Sequence, residues 1–226
     1  MPRTVKTYDE RYAEFLDVAQ QLFFSQGYER TTVQEIIDTV GVAKGTFYHY
    51  FDSKQAILEA LVAELSAQTL ALFEAIVADE TLDAIQKWAR WVQVYGDWKI
   101  QRKAELLAIV RVMQADENVL LSHKLRKQTV QMAVPTLTRI ISQGIEEGVF
   151  ETAYVEEAAE IAYAVSRIVS DSIADILLNP DTYEHPEALA RRKIAAGQAA
   201  IERVLGAAPG SLPLADEKAL AAWFEN

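Results

Sequence analysis

The segment Thr31–Lys54, TTVQEIIDTVGVAKGTFYHYFDSK, constrains the fold of this chain more tightly than any other stretch. Thr32 followed by Glu35 forms a capping box, in which two side chains satisfy free N–H groups at the start of a helix. The apolar residues that follow recur at helical spacing: Val33, Ile36, Ile37 and Val40. Gly41 comes next, and glycine most easily adopts the left-handed conformation that ends a helix. The segment therefore predicts a short helix, a tight turn and a second short helix.

The second short helix, Val42 to Phe51, carries one formal charge, Lys44, and is rich in aromatic residues. Two short helices held at a fixed angle by a glycine turn form a helix-turn-helix. Phe47 and Phe51 are four residues apart, so they share one side of the helix and are predicted to anchor it in the core. The opposite side is then free to face a partner.

That opposite side holds two further pairs at four-residue spacing, Lys44 with Tyr48 and Gly45 with His49. They offer a cation, a hydroxyl, an imidazole and bare backbone, which are groups that reach phosphates and base edges in a major groove. Gly45 also permits a close approach to the groove because it has no side chain. Taken singly, each residue is better explained as part of the surface of a small helical bundle. Their joint spacing favours binding to double-stranded DNA.

The sequence GVAKGTFYHYFDSKQAIL resembles the recognition-helix signature of the TetR (tetracycline-repressor-like) family of bacterial transcription regulators. Its Gly, Lys-Gly, Tyr, aromatic-Phe and downstream Lys fall at the offsets of that family, and the resemblance covers roughly residues 8–60. It departs at Ala43, where the family often has Ser or Thr. The resemblance implies DNA contacts from a set of residues in and around the second helix: Lys44, Gly45, Thr46, Tyr48, His49 and Lys54, with Thr31 or Thr32 touching the DNA backbone.

The regions on either side of this segment also follow helical patterns. Thr7 with Glu10 predicts the cap of a first helix, and Asp52 with Gln55 predicts the cap of a long fourth one. Pro135 is predicted to kink a long helical segment that opens at Asp116.

Nearer the C-terminus, Pro186 suits the first position of a late helix. The segment Ala207–Pro213 is expected to be flexible, and Asp216 to Phe224 to form a short amphipathic end. No strand pattern or repeat is present. The predicted fold is all-α, with an N-terminal three-helix bundle that contains the helix-turn-helix and a C-terminal helical domain for effector binding and dimerisation. The predicted domains are residues 1–54 and 55–226.

Composition excludes several other classes of protein. Half of the 226 residues are hydrophobic, which is incompatible with a disordered chain. No apolar run approaches the ~20 residues of a membrane span, no signal peptide is evident and cysteine is absent, so we expect a cytoplasmic protein without membrane contact. No phosphate loop, dinucleotide fingerprint or catalytic triad pattern occurs, which favours a non-enzyme without a cofactor. Glu156, Glu157 and Glu160 lack a histidine partner for a metal site and are better explained by the start of a helix.

The charge is distributed unevenly along the chain. The net charge is −11, and residues 1–54 hold six Lys or Arg and eight Asp or Glu, so −9 of it lies beyond residue 54. A protein that coats nucleic acid non-specifically would be basic. The charge therefore favours a small, specific contact surface over general electrostatic binding.

A stripe of aromatic residues marks the C-terminal half. Trp88, Trp91, Tyr95 and Trp98 follow a 3-4-3 spacing and so line one face of a helix. They are explained equally well as the wall of a pocket for an apolar or aromatic effector and as ordinary core. Met113 is a weaker candidate for the same pocket. Regulators of the resembled family respond to small molecules bound in this half, which favours a pocket somewhere in it.

A homodimer is the expected assembly, because one short helix reads DNA weakly and such proteins bind paired half-sites. Two late helices carry small residues that permit close packing: Ala162, Ser166, Ser170, Ala195, Ala196, Gly197, Ala199 and Ala200. An intramolecular bundle would use the same residues, and the resemblance favours a four-helix dimer interface. The resulting prediction is a homodimeric repressor that a ligand releases from its operator. The alternatives are an activator of the same fold, or a helical interaction module or enzyme without DNA contact.

Overall fold

The computed structural model describes residues 6–114 and 118–224. Within these residues the chain is α-helical with no strand, and this confirms the predicted fold class. The helices are α1 (Tyr8–Gln26), α2 (Val33–Val40), α3 (Lys44–Tyr50), α4 (Lys54–Val77), α5 (Ala84–Gln101), α6 (Lys103–Gln114), α7 (Val119–Glu146), α8 (Val155–Leu178), α9 (Pro186–Val204) and α10 (Glu217–Phe224), with a 3-10 turn at Pro180–Thr182.

The predicted caps of α1 and α2 are confirmed. The Glu10 backbone N–H donates to Thr7 Oγ1 at 3.2 Å, and the Thr7 N–H donates to Glu10 Oε2 at 2.7 Å. Thr32 and Glu35 repeat this reciprocal pair at the start of α2. At the end of α2, Gly41 has φ 73° and ψ 41°, the left-handed conformation that the sequence predicted.

The other predicted helix starts are confirmed only in part. The hydroxyl of Ser53, and not the carboxylate of Asp52, caps α4 by accepting the N–H of Ala56 at 3.0 Å. Pro135 lies inside one continuous helix, α7, and Pro186 occupies the first turn of α9 as predicted. Asp116, which was predicted to open the segment containing Pro135, lies outside the described residues.

The chain forms two compact units, an N-terminal unit of Met1–Ala67 and a C-terminal unit of Gln68–Asn226. The boundary between them lies inside α4, which is helical without interruption from Lys54 to Val77. The predicted functional division at residue 54 was drawn from the motif and stays a prediction.

The core of the N-terminal unit is built from aliphatic and aromatic side chains of α1 to α4. Phe15, Ile36, Phe47 and Ile57 are fully buried, one from each of the four helices. Burial of such side chains contributes roughly 1.5–3 kcal/mol each. These four helices together therefore fix the position of the short helix α3.

The core of the C-terminal unit joins the end of α4 to α5, α7, α8 and α9. Its fully buried side chains include Trp88, Ile141, Ala162 and Ile201. The end of α4 is also held by polar contacts, because the buried Lys87 donates to the carbonyl of Val77 at 2.8 Å. The guanidinium of Arg139 pairs with Glu74 in the preceding turn.

The segment that follows α9 is packed rather than flexible, which corrects the prediction for Ala207–Pro213. Leu212 is fully buried, and its N–H donates to the buried carboxylate of Glu202 at 3.1 Å. The indole N–H of Trp88 donates to the carbonyl of Pro213 at 2.8 Å. Beyond it, α10 packs against α5. The chain end is thus part of the C-terminal core.

One helix departs from the prediction that no segment could span a membrane. By length and composition alone, α4 is apolar enough to do so, with a mean hydropathy of 1.5 over its most apolar window. The sequence argument missed it because glutamates interrupt the apolar residues at intervals, and many of those residues are alanines. Core helices of soluble proteins meet the same criterion when they are mostly buried. In α4 only 17% of that window is buried, although Ile57, Leu58 and Phe73 of the helix are buried.

Candidate functional site

The position of α3 is set by its aromatic side chains. Phe47 and Phe51 are buried as predicted, with Phe47 fully inaccessible. The ring of Phe47 packs edge-to-face on Phe15 of α1 at a centroid distance of 5.5 Å, and Tyr50 stacks on Tyr8 at 4.5 Å. Aromatic pairs of this kind contribute about 0.5–1.5 kcal/mol beyond burial alone. One side of α3 is therefore held rigidly against α1.

The other side of α3 is exposed over the predicted set of residues. Lys44, Gly45, Tyr48 and His49 are all exposed, and Thr46 is partly so. A Cβ built on Gly45 meets no atom within 4 Å, so the helix surface is open there. The Lys44 ammonium lies 5.9 Å from the ring centre of Tyr48. A cation, a phenol and an imidazole thus lie side by side on one solvent-facing surface.

The residues predicted to touch the DNA backbone have different environments. Thr32 is exposed at the start of α2, whereas Thr31 is buried and donates its hydroxyl to the carbonyl of Gly27 at 2.9 Å. The Lys54 ammonium donates to the carbonyl of Tyr28 at 2.8 Å and lies 4.1 Å from the centre of its ring. These internal bonds hold the α1–α2 loop to the start of α4, a role that the sequence did not reveal. A phosphate contact by Lys54 stays a prediction.

The C-terminal unit contains a cavity of about 350 Å³, within the range of ~300–1,000 Å³ typical of small-molecule sites. Three members of the predicted aromatic stripe line it: Trp88, Trp91 and Tyr95. Trp98 is buried and stacks on Tyr95 outside the lining, and Met113 also lies outside it. The stripe is therefore divided between the cavity wall and the core.

Other walls of the cavity come from residues that the sequence analysis did not single out as its lining. They are supplied by α6, α8, α9 and the chain end, and include Leu106, Tyr163, Ser170, Ile194 and Trp223. Helical periodicity identifies the inward face of each helix but not which faces meet. Burial raises the pKa of Tyr163, although the nearby charge of Arg167 acts in the opposite direction. Its phenol therefore remains a hydrogen-bond donor at neutral pH.

The small residues predicted for the dimer interface also serve within the protomer. Ala162 is fully buried, and a Cβ on Gly197 would approach Val169 Cγ2 to 2.6 Å. Ser166 and Ser170 line the cavity. By contrast, α8 leaves Ile161 and Ile168 exposed. The close α8–α9 contact thus lies inside the protomer, and an apolar stripe remains on the outer surface of α8.

No cluster that could hold a metal ion occurs across residues 6–114 and 118–224. A helix-turn-helix with an exposed, acid-free recognition helix, joined to a helical unit that encloses a cavity, defines a helix-turn-helix DNA-binding protein of the regulatory class.

Comparison with known proteins identifies the family. The model for bacterial regulatory proteins of the tetR family matches residues 15–61, and the model for the tetracyclin repressor-like C-terminal domain matches residues 105–176. Together these segments cover more than half of the chain. The chain belongs to the TetR family of bacterial transcription regulators, and it is a DNA-binding transcription regulator.

Individual relatives are more distant. The chain is 35% identical to the HTH-type transcriptional repressor KstR2 of Rhodococcus jostii over 30% of its own length. This match spans about a third of the relative, 33% of its length. It is 27% identical to the KstR2 repressor of Mycobacterium tuberculosis over 66% and 74% of the two chains. A TetR-family regulator from Pectobacterium atrosepticum has the same fold, with a TM-score of 0.65 and 20% identity over 88% and 98% of the chains.

Proposed function

We propose that this regulator is a homodimeric repressor of the bacterial cytoplasm that leaves its operator when a small molecule enters the C-terminal cavity. The observation that carries the proposal is the cavity itself, a roughly 350 Å³ space with aromatic walls in the unit that does not hold the recognition helix. Relatives named as transcriptional repressors support the direction of regulation.

In the proposed mode of DNA binding, the exposed side of α3 enters the major groove. Lys44, Tyr48 and His49 supply the polar contacts, and the open surface at Gly45 allows the helix backbone to approach the base edges. Thr32 at the exposed start of α2 is suited to a backbone phosphate. Thr31 and Lys54 would act mainly by holding these elements in place, and the partly exposed Thr46 stays a candidate contact on α3.

In the proposed mechanism, α4 carries the effector signal. Its first residue, Lys54, is bonded to the loop carbonyls of the N-terminal unit, and its last residue, Val77, accepts a bond from Lys87 of the C-terminal unit. A helix bonded at each end to a different unit is suited to carry a change from one unit to the other. Effector binding would change the separation of the two recognition helices in the dimer, so they would no longer fit successive grooves.

The DNA-binding part is tested with Tyr48→Ala. Because Tyr48 is exposed and packs on the surface of α3, we expect the variant to fold normally and to lose at least tenfold in operator affinity, the equivalent of about 1.4 kcal/mol. The operator is first selected from random DNA, and affinity is measured by fluorescence anisotropy of labelled DNA. Tyr154→Ala, which removes an exposed tyrosine from the C-terminal unit, is the matched control. Equal affinity of the two variants would contradict DNA reading by α3.

The release part is tested on the same DNA complex. Small molecules are screened for the ability to lower the anisotropy of wild-type complex, and active ones are retested on a variant with a blocked cavity, Ala174→Trp. We expect release from the wild type and none from the variant. Release that is unaffected by the block would mean that the effector acts elsewhere.

A further inference from the structure

The charged residues in the cavity wall are Lys99, Arg167, Asp171 and Asp216. These four residues differ in their hydrogen-bond and ion-pair partners. A charged group without a partner of opposite charge is the one that a ligand would contact. The cost of leaving a charge half-buried without a counter-charge is substantial, so an uncompensated group is a candidate for ligand contact.

Both carboxylates are already engaged. Asp171 lies 3.0 Å from Arg167 Nη2 and 4.0 Å from Arg126 Nη2, so it is shared between two guanidinium groups. Asp216 accepts the backbone N–H of Ala219 at 2.9 Å, at the start of α10, where the helix dipole favours a negative charge. The wall therefore holds little unbalanced negative charge.

Lys99 is the exception among these four groups. Its ammonium donates to the hydroxyl of Ser170 at 3.2 Å and lies 4.1 Å from the centre of the Tyr95 ring. An ammonium has three N–H donors, and no carboxylate oxygen among the described residues lies within 4 Å of Lys99. The half-buried ammonium of Lys99 therefore contacts a hydroxyl and an aromatic ring but no carboxylate among these residues, and it can bind an anionic group of a ligand.

A donor without a partner in the described part of the chain, the indole of Trp91, lies in the same wall. The indole Nε1 of Trp91 is buried and has no acceptor among the described residues, although the side chain lines the cavity. Buried donors without a partner are rare in native proteins. The indole of Trp98 is also unpartnered, but that residue lies outside the lining. The Trp91 nitrogen is itself inaccessible, so this part of the wall suits the apolar body of a ligand and not its anion.

We propose that the cavity binds an organic carboxylate, with its anion at Lys99 and its aromatic or aliphatic body against Trp91 and Tyr95. The inference rests on the proposed function, in which this cavity is the effector site. Trp91 and Lys99 are eight residues apart on α5, which corresponds to about 12 Å along the helix. A carboxylate with a single ring and a short chain is therefore accommodated between them.

The test uses three probes of nearly equal shape: 3-phenylpropanoate, 3-phenylpropanamide and 3-phenylpropylamine. Binding to the full chain without DNA is measured by isothermal titration calorimetry. We expect the wild type to bind the carboxylate roughly tenfold or more tightly than the amide, because a hydrogen bond to a charged group is the stronger one. In Lys99→Gln this preference falls to about equality, while affinity for the amide is retained, which shows that the cavity is intact. Lys218→Gln, an exposed lysine of α10 outside the lining, keeps the wild-type preference.

Several results would overturn the inference. They are tighter binding of the amide or amine than of the carboxylate, binding of none of the three probes, or a carboxylate preference that survives in Lys99→Gln. Operator release, measured separately, distinguishes this failure from failure of the proposed function. If the amide or amine binds more tightly than the carboxylate and releases DNA, the proposed function stands and the carboxylate site does not. If the carboxylate binds through Lys99 and leaves the operator bound, the reverse holds.

Discussion

At the scale of single residues, Ala43 occupies the N-cap position of the recognition helix α3 but has no side chain that can cap it. Its backbone angles, φ −72° and ψ 148°, are those of a helix N-cap, and no side chain caps the first turn of α3. Because α3 has only seven residues, its own hydrogen bonds contribute little to its stability. Its position depends on the aromatic contacts of Phe47 and Phe51 with α1.

Ala43→Thr is predicted to stabilise the protein by about 0.5–1 kcal/mol, because its hydroxyl would accept a free N–H at the start of α3. The measurement is urea-induced unfolding at fixed protein concentration, since the proposed dimerisation would make stability depend on concentration. Ala43→Val has the same shape as the threonine variant but no hydroxyl, so we expect it to show no gain. Equal stability of the two variants would exclude a capping effect.

The residue scale also shows what spacing can and cannot predict. Tyr48 and Phe47 are adjacent in sequence, and helical geometry alone assigned one to the surface and the other to the core, as the structure confirms. Lys54 was different. The family resemblance implied that Lys54 contacts DNA, and the structure shows that its ammonium also donates to the carbonyls of Tyr28 and Glu29. Those acceptors are more than twenty residues away along the chain, so no local pattern could have revealed them.

At the scale of elements, a buried carboxylate, together with the Trp88 indole, holds the segment between α9 and α10. Glu202 accepts the side-chain amide of Gln198 and the N–H of Leu212. Burial by itself would raise the pKa of Glu202, but the bonds from Gln198 and from the N–H groups of Gly210, Leu212 and Ser211 outweigh it, and the pKa is lowered. The charged form therefore stabilises the packed segment.

The pH dependence follows from that lowered pKa. Because Glu202 binds a proton less readily in the folded state, its contribution is present above the ordinary glutamate pKa of 4.5 and is lost as the pH falls through the lower folded value. Glu202→Gln should cost about 1–3 kcal/mol at neutral pH, and its difference from the wild type should shrink on acidification. Urea unfolding across this pH range measures it.

The control for this variant is Glu157→Gln, which changes an exposed glutamate in the first turn of α8. It should show neither the large loss at neutral pH nor the convergence at acidic pH. A Glu202→Gln variant that stays equally destabilised at every pH would mean that the carboxylate charge is not what holds the segment.

The start of an element was predictable when both partners were local. Thr7 and Thr32 each cap a helix together with a residue three positions later, as the sequence predicted. At the start of α4, the sequence pattern predicted Asp52 as the cap, whereas the next residue, Ser53, caps the helix. The packing of the chain end was not predictable, because its anchors, Trp88 and Glu202, give no sign in the sequence that they bind it.

At the scale of the whole molecule, the outer face of α8 exposes an apolar stripe. Ile161 and Ile168 are two helical turns apart and are 48% and 66% exposed, values unusual for isoleucine. Ala195 and Ala196 of α9, the helix packed beside α8, are also exposed. This surface is the proposed dimer interface, since its apolar area gains from removal from water.

Ile168→Glu should therefore convert the dimer to a monomer of 25.3 kDa without unfolding it. The reason is that two like charges would face one another near the twofold axis of the interface. Light scattering after gel filtration measures the mass. Val119→Glu, which changes a valine of similar exposure on α7, is the matched control and should leave the mass unchanged. A dimer that survives Ile168→Glu would require a different interface.

The cavity was predictable only in part, because it is a property of the assembled C-terminal unit. The 3-4-3 spacing placed Trp88, Trp91 and Tyr95 on one face of α5 and left open whether that face forms a pocket or the core. In the structure these three residues line the cavity. Trp98 continues the same stripe but is covered by its neighbours. Whether an aromatic residue faces a space or another side chain depends on helices far away in sequence, and a single periodic stripe carries no information about them.

The placement of the tryptophans has a consequence for observing this protein at work. All four lie beyond Ala67, at Trp88, Trp91, Trp98 and Trp223, and three of them line the cavity. The unit that carries the recognition helix has none. Native indole emission is therefore an unlabelled reporter of the C-terminal unit alone. A change in that emission when operator DNA is added, beyond the change that unrelated DNA causes, would report coupling between the two units in the unmodified protein.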